Sequence, residues 1–218
     1  LTKWAQNVSL SIDNLELFCQ GVAMSDPSAA QAALPDRLEP ILDAAFRAFA
    51  TYGYRRTSMD DIAKGAGMSR SALYLHFRNK EDIFRSLAVR YFDEALRDMA
   101  AALEAPGQTL EQALMAGFVA KDGKFMEAVL TTPHGEELMD AGFSVTGDLA
   151  AAGEARMVEV LGQWLARRGI PEGLGRGPDV AQAIMSAVKG LKLSARSLPD
   201  YRAGQARLAA LFARALSQ

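Results

Sequence analysis

The chain has a single cysteine, Cys19, in 218 residues. No intramolecular disulfide can form, and without a recognisable secretory leader a reducing cytoplasm is the default compartment. No apolar run approaches the roughly 20 residues needed to span a bilayer, so no membrane partner is expected. The two histidines, His76 and His134, stand far apart with no cysteine or acidic cluster at ligand spacing, so no metal and no cofactor are expected. No segment alternates like a strand between hairpin turns. Repeats and low-complexity tracts are also missing. Catalytic sets are absent too: no Ser/His/Asp or Cys/His arrangement is readable. The "GLGRG" of Gly173–Gly177 follows no strand and lacks the third glycine of a dinucleotide loop. An enzyme is therefore not expected.

What is there is helix-forming sequence, half of it hydrophobic, and the expected class is all-α. Leu38, Ile41, Leu42, Ala45, Phe46 and Phe49 form one amphipathic stripe, closed by Gly53. Ser58 with Asp61 and Asn79 with Asp82 open the next two long segments, and Thr109 with Gln112 makes a capping box. The helix from Asn79 fades near Pro106-Gly107, and the one behind Thr109 is expected to break near Gly123. A short helix over 136–141 and a longer one over 147–168 follow Pro133, ending at Gly169. Pro178 and Pro199 open the last two.

Residues 1–35 read differently. Trp4, Val8, Ile12, Leu15 and Cys19 make a helical stripe, while Val8, Leu10 and Ile12 also alternate. "MSDPS" at Met24 looks like an ordinary protein start, so 1–23 read as an addition ahead of it.

Charge is uneven. Net charge is −2, yet Arg47–Lys80 holds seven basic residues against two acidic ones, a local +5. A basic patch on an acidic body points to an anionic partner. The same segment contains "MDDIAKGAGMSRSALYLHF". Ile62, Ala66, Met68 and Leu73 are apolar pegs, Ala63 is small, and Gly67 supplies a turn: the layout of a helix-turn-helix. Ser69 caps the second helix. Arg70, Ser71 and Ala72 then face the edges of bases in a major groove. Tyr74, His76, Lys80, and Thr57 or Ser58, suit phosphate oxygens. Asp60 and Asp61 favour the helix dipole but repel phosphate, so base contacts from the first of the two helices are not expected.

"ILDAAFRAFATYGYRRTSMDDIAKGAGMSRSALYLHFRNKEDIF", residues 41–84, resembles the DNA-binding domain of the tetracycline-repressor (TetR) family. Its signature elements are the runs I-A-x-x-A-G-x-S and L-Y-x-H-F-x-N-K-E. The resemblance covers about a fifth of the chain. It implies an N-terminal three-helix helix-turn-helix DNA-binding domain, 36–83, and a larger helical ligand-binding and dimerisation domain, 84–218. It also implies a homodimeric repressor of a near-palindromic double-stranded DNA operator, released by a small-molecule effector. Carried over by position, Ser69, Arg70, Ser71 and Ala72 would read bases, and Thr57, Tyr74, His76 and Lys80 would hold the backbone. Only Lys3 and Arg37 are basic before the first helix, so no minor-groove arm is expected.

For the regulatory half the resemblance implies a pocket among the middle helices. Met115, Phe118, Phe125, Met126, Met139, Phe143, Met157 and Trp164 are the lining candidates. Such a Met and aromatic stripe equally describes plain core; adaptable Met tilts the reading toward a mainly apolar ligand. His134 is the polar candidate, with Glu136, Glu137, Asp140, Lys121 and Lys124 divided between selectivity and a solvated face. Ile184, Val188, Leu191, Leu208, Leu211 and Phe212 on the last two helices are the expected dimer interface. The competing reading is a helical hydrophobic-ligand-binding or protein-interaction module without DNA binding, which the polar Ser69–Lys80 face argues against.

Overall fold

The computed structural model describes residues 38–217, without the side chain of Lys124. The expectations for residues 1–35, and for the Lys124 side chain, lie outside the described residues. Eight helices and no strand occur among the described residues. They are α1 (Glu39–Tyr52), α2 (Met59–Gly65), α3 (Arg70–Leu73), α4 (Lys80–Glu104), α5 (Leu110–Thr131), α6 (Gly135–Arg168), α7 (Gly177–Ser194) and α8 (Leu198–Leu216). Residues from Leu38 onward form one compact unit.

The helix starts follow the sequence signals. Ser58 and Asp61 satisfy each other's backbone amides in a capping box, as do Thr109 and Gln112. Asn79, Ser69 and Ser197 each accept one amide with the side chain. Each such cap is worth about 1 kcal/mol. One boundary differs from expectation. The α5 helix runs past Gly123 to Thr131 without a break, because one glycine costs only about 1 kcal/mol and burial of Ala128 and Met126 offsets it. The expected short and long helices after Pro133 are both present and run on as α6 across a kink at Thr146 (φ −127°, ψ 22°), next to the expected start of the second at 147. The Thr146 hydroxyl donates back to the Gly142 carbonyl at 2.7 Å, a bond that favours bending.

Two buried clusters share the long helices. The first joins α1 (Ile41, Leu42, Phe49), α2 (Ile62, Ala63), α3 (Leu73) and the start of α4 (Ile83, Phe84) to Ala128 of α5 and Leu138 and Ala141 of α6. Phe49, Tyr54 and Phe84 stack edge-on or tilted at its centre, with centroids 5.0–5.6 Å apart. The second joins Met99 and Leu103 of α4 and Phe118 of α5 to Met157, Leu161 and Trp164 of α6, Ile184 and Val188 of α7, and Ala209 and Ala213 of α8. Thus α4 and α6 each place one end in each cluster. The turn between α5 and α6 is tight: a Cβ on Gly135 would fall 1.8 Å from the Val129 carbonyl oxygen. No described helix is long and apolar enough to cross a membrane.

Candidate functional site

The α2–turn–α3 unit is built by a few residues. Ile62, Ala63 and Leu73 are fully buried and lock the two helices. Gly67 turns the chain at φ 69°, a conformation costly for any side chain. The Met68 amide then reaches back to the Ala63 carbonyl at 3.0 Å. The α3 helix is short. After Leu73 it tightens into turns in which the Leu75 and His76 amides bond the carbonyls three residues back.

Ser69, Arg70, Ser71, Tyr74 and His76 all lie exposed, and Ala72 is half-buried between them. Ser69 and Ser71 hydroxyls sit 3.0 Å apart. Arg70 donates to the Tyr74 hydroxyl at 3.3 Å and lies over its ring. Ser58 is exposed too, holding Asp61. The negative charges noted in the sequence are spent locally: Asp61 on the Ser58 cap and Asp60 on Lys64 at 2.7 Å. Leu75, at 84% exposure, projects between Tyr74 and His76 and was not anticipated. The signal was present, since buried Leu73 and Phe77 flank it and leave 75 outward.

Two expected backbone contacts face the other way. Thr57 is buried, and its hydroxyl donates to the Gly53 carbonyl at 2.7 Å, with the Ala48 carbonyl at 3.2 Å. Lys80 turns inward. Its ammonium donates to the carbonyls of Tyr54 and Arg55 at 2.8 Å and of Thr57 at 3.1 Å, and lies 4.9 Å from the Tyr54 ring centre. All three N–H donors are used, so this side chain ties α4 to the α1–α2 loop rather than reaching for phosphate. Burial pulls its pKa below the usual lysine value, against the nearby Glu137.

The same loop is held from the first turn of α6. Glu137 accepts the Arg55 amide, and Arg56 Nη2 lies 3.0 Å from the His134 ring. His134, expected in the ligand pocket, is instead at this joint. Farther along, Arg85 of α4 donates to the Val145 carbonyl at 2.7 Å and pairs with Asp148, so α4 grips α6 on both sides of Thr146.

Between α4, α5, α6 and α7 lies a cavity of about 900 Å³. Phe125, Met126, Met139, Phe143 and Met157 line it, as expected of them. Met115, Phe118 and Trp164 do not: they pack in or against the second core cluster. The Trp164 indole donates to the Leu103 carbonyl at 2.8 Å, which fixes it as a core residue. Glu39, Asp43 and Arg90 bound the cavity toward α1, where Arg90 pairs with both acids at 2.6 and 2.9 Å.

A buried ionic cluster abuts this cavity; of its members the sequence had singled out Lys121 alone. Lys121 and Lys192 hold Asp122 Oδ1 at 2.9 and 2.8 Å. Asp122 Oδ2 accepts the Tyr201 hydroxyl and the Gln205 amide at 2.6 Å each. Burial opposes the Asp122 charge, yet Lys192 and then Lys121 hold its carboxyl down at about 2. Burial and the Lys192 ammonium push Lys121 down to about 8. Against burial, the oxygens of Tyr91, Asp122 and Tyr201 keep Lys192 above the usual lysine range.

On the last two helices, Ile184 and Val188 are fully buried within the chain, so neither is free to meet another copy. Leu191 is half-buried against Gly204. Leu208 and Phe212 are half-buried; Leu211 at 62% and Leu193 at 67% exposure remain outward.

Comparisons with known proteins agree with this geometry. The family model for bacterial regulatory proteins of the tetR family matches residues 41–87. The HTH-type transcriptional repressor KstR2 of Mycobacterium tuberculosis is 31% identical over 144 residues, 64% of this chain and 69% of that protein. The HTH-type transcriptional repressor ComR of Escherichia coli is 29% identical over 164 residues, 71% of this chain and 77% of that one. The solved complex of SmeT with triclosan, from Stenotrophomonas maltophilia, superposes with a TM-score of 0.56 at 22% identity, covering 82% of this chain and 90% of that one.

Proposed function

Since this chain belongs to the TetR family of bacterial transcriptional regulators, we propose that it is a homodimeric, cytoplasmic repressor of a near-palindromic operator, released when a small molecule fills the cavity. In this reading residues 36–83 bind DNA and 84–218 sense the ligand and dimerise. Ser69, Arg70 and Ser71 read base edges, with Leu75 against a thymine methyl. Tyr74, His76 and Ser58 hold phosphates. Two copies set their α3 helices about 34 Å apart, one turn of DNA.

The observation that carries the reading is the double duty of α6. Its middle walls the cavity at Met139, Phe143 and Thr146, and its first turn holds the loop that leads into α2. The kink at Thr146 ends the segment that carries both tasks. A ligand pressing on this wall shifts the segment before the kink, and Glu137 and His134 carry the shift to Arg55 and Arg56. Linkage then requires DNA and ligand to weaken each other by one common factor. SmeT, whose complex with triclosan shares the fold, is consistent with a cavity of this volume taking a drug-sized molecule. For the dimer, the support is the exposed Leu193 and Leu211 beside the half-buried Leu208 and Phe212.

Selection of random duplex DNA by the purified protein tests the proposal. An enriched palindrome of about 15–20 bp, as two half-sites one turn apart require, is expected. Absence of enrichment at low salt, where charge attraction is strongest, refutes DNA binding and favours a ligand-binding module instead.

A further inference from the structure

The charges that line the cavity are segregated, with the anions in excess toward α1 and the cations in excess at the α5–α7 side. At the α1 side, Arg90 faces Glu39 and Asp43. Across α6 and α7, Lys189 pairs with Glu154 at 2.8 Å. Only at the α5–α7 side do two cations, Lys121 and Lys192, share one anion, Asp122. That anion has no capacity left, because Tyr201 and Gln205 occupy its second oxygen. Lys121 is 4% exposed, and both lysines line the cavity. Among the described residues, Asp122 is the one group paired with either ammonium, although each carries three donors. A buried excess of one positive charge is costly until an anion approaches it. Phe84, Phe92, Phe125, Met126 and Met157 supply the apolar part of the wall, while Arg47, Glu94 and Asp98 join the charged group toward α1.

We infer that the effector is an amphipathic monoanion: its carboxylate seats between Lys121 and Lys192, and its apolar body fills the cavity along α4, α5 and α6. The inference rests on the proposal that this cavity binds the effector, and names what it binds. One excess positive charge matches one carboxylate. A phosphate monoester would bring a second negative charge into the same buried site, and an amine would add to the excess. Tyr91, whose hydroxyl donates to the Lys121 carbonyl at 3.0 Å, steadies the backbone that presents the lysine. The other titratable groups around the cluster do not compete. Burial raises the pKa of Tyr91 and Tyr201 and keeps both neutral, and Glu154 is matched by Lys189.

The test is calorimetric binding to the purified full chain of four ten-carbon probes: decanoate, 1-decanol, decyl phosphate and decylamine. Decanoate is expected to bind roughly tenfold or more tighter than decanol, with decylamine weakest. The preference is expected to shrink as pH rises past about 8, where Lys121 gives up its proton and the site falls from +1 to neutral. Lys192→Gln should level acid and alcohol, while Lys192→Arg keeps the preference and shows that the change is one of charge. A Lys192→Gln protein that does not fold leaves the pH series and the arginine variant to decide. Decanol binding as tightly as decanoate, or decanoate preference that survives Lys192→Gln, overturns the inference and leaves the cavity as the ligand site. Decanoate and decanol binding unaffected by Met126→Trp combined with Met139→Trp, which narrow the cavity from α5 and α6, or no binding by any probe, overturns the cavity reading and the inference with it.

Discussion

Replacing Lys80 with methionine separates two duties of this side chain. In the structure its ammonium closes three hydrogen bonds to the Tyr54, Arg55 and Thr57 carbonyls. A hydrogen bond to a charged group is worth about 1.5–3 kcal/mol net. The three share one partly buried ammonium and are not additive, and solvent screens the Arg55 side. Adding the contact with Tyr54, worth about 0.5–1 kcal/mol, the loss should be on the order of 2–4 kcal/mol. For a chain of this size each kcal/mol moves Tm by about 2–4 °C, so a drop of about 4–16 °C is expected in a thermal melt. The operator affinity will fall because the α1–α2 loop loosens. Its salt dependence will not change: a lysine on phosphate contributes about 0.9 to the slope of log K against log salt, and this one contributes nothing. An unchanged Tm together with a slope reduced by about 1 would refute the inward assignment and restore Lys80 as a phosphate contact.

Arg70→Ala should cost about 1–3 kcal/mol of operator binding and relax base preference; a gel-shift series on operator variants that shows neither sinks the base-reading role. Thr57→Val should cost about 1–3 kcal/mol of stability, since the Gly53 carbonyl loses its buried donor, with the salt slope of DNA binding untouched; a slope change would reassign it to the DNA. Asp122→Asn leaves Lys121 and Lys192 facing each other and should cost about 3–5 kcal/mol in denaturant melts. In the native protein the Asp122 carboxyl titrates lower when folded than unfolded, so its contribution is present above the usual value of 3.8 and is lost as pH falls toward 2. Acid unfolding of the Asn variant should therefore lack that component, and an identical acid profile would count against the ionised cluster.

The helix-turn-helix was legible in the sequence because its requirements are local. A capping serine three residues before an acid, a glycine at positive φ and apolar pegs at helical spacing act within a few residues of one another. The all-helical class and most helix starts were readable for the same reason. Exposure of Ser69, Arg70, Ser71, Tyr74 and His76 agrees with the period that buries Leu73 and Phe77. Long-range partnership was not legible. Nothing near Lys80 in the chain announces carbonyls some 25 residues away, and nothing near His134 announces Arg56. Periodicity says that Ile184, Phe118 and Trp164 face inward, but not whether inward means core, cavity or partner. The cluster of Lys121, Asp122, Lys192, Tyr201 and Gln205 spans three helices, so no window of sequence contains it. The sequence by itself determined which segments are helices and which short unit has the form of a DNA reader. Tertiary structure alone decided which charges meet in low dielectric, because that energy depends on distance and burial, neither of which a linear pattern specifies.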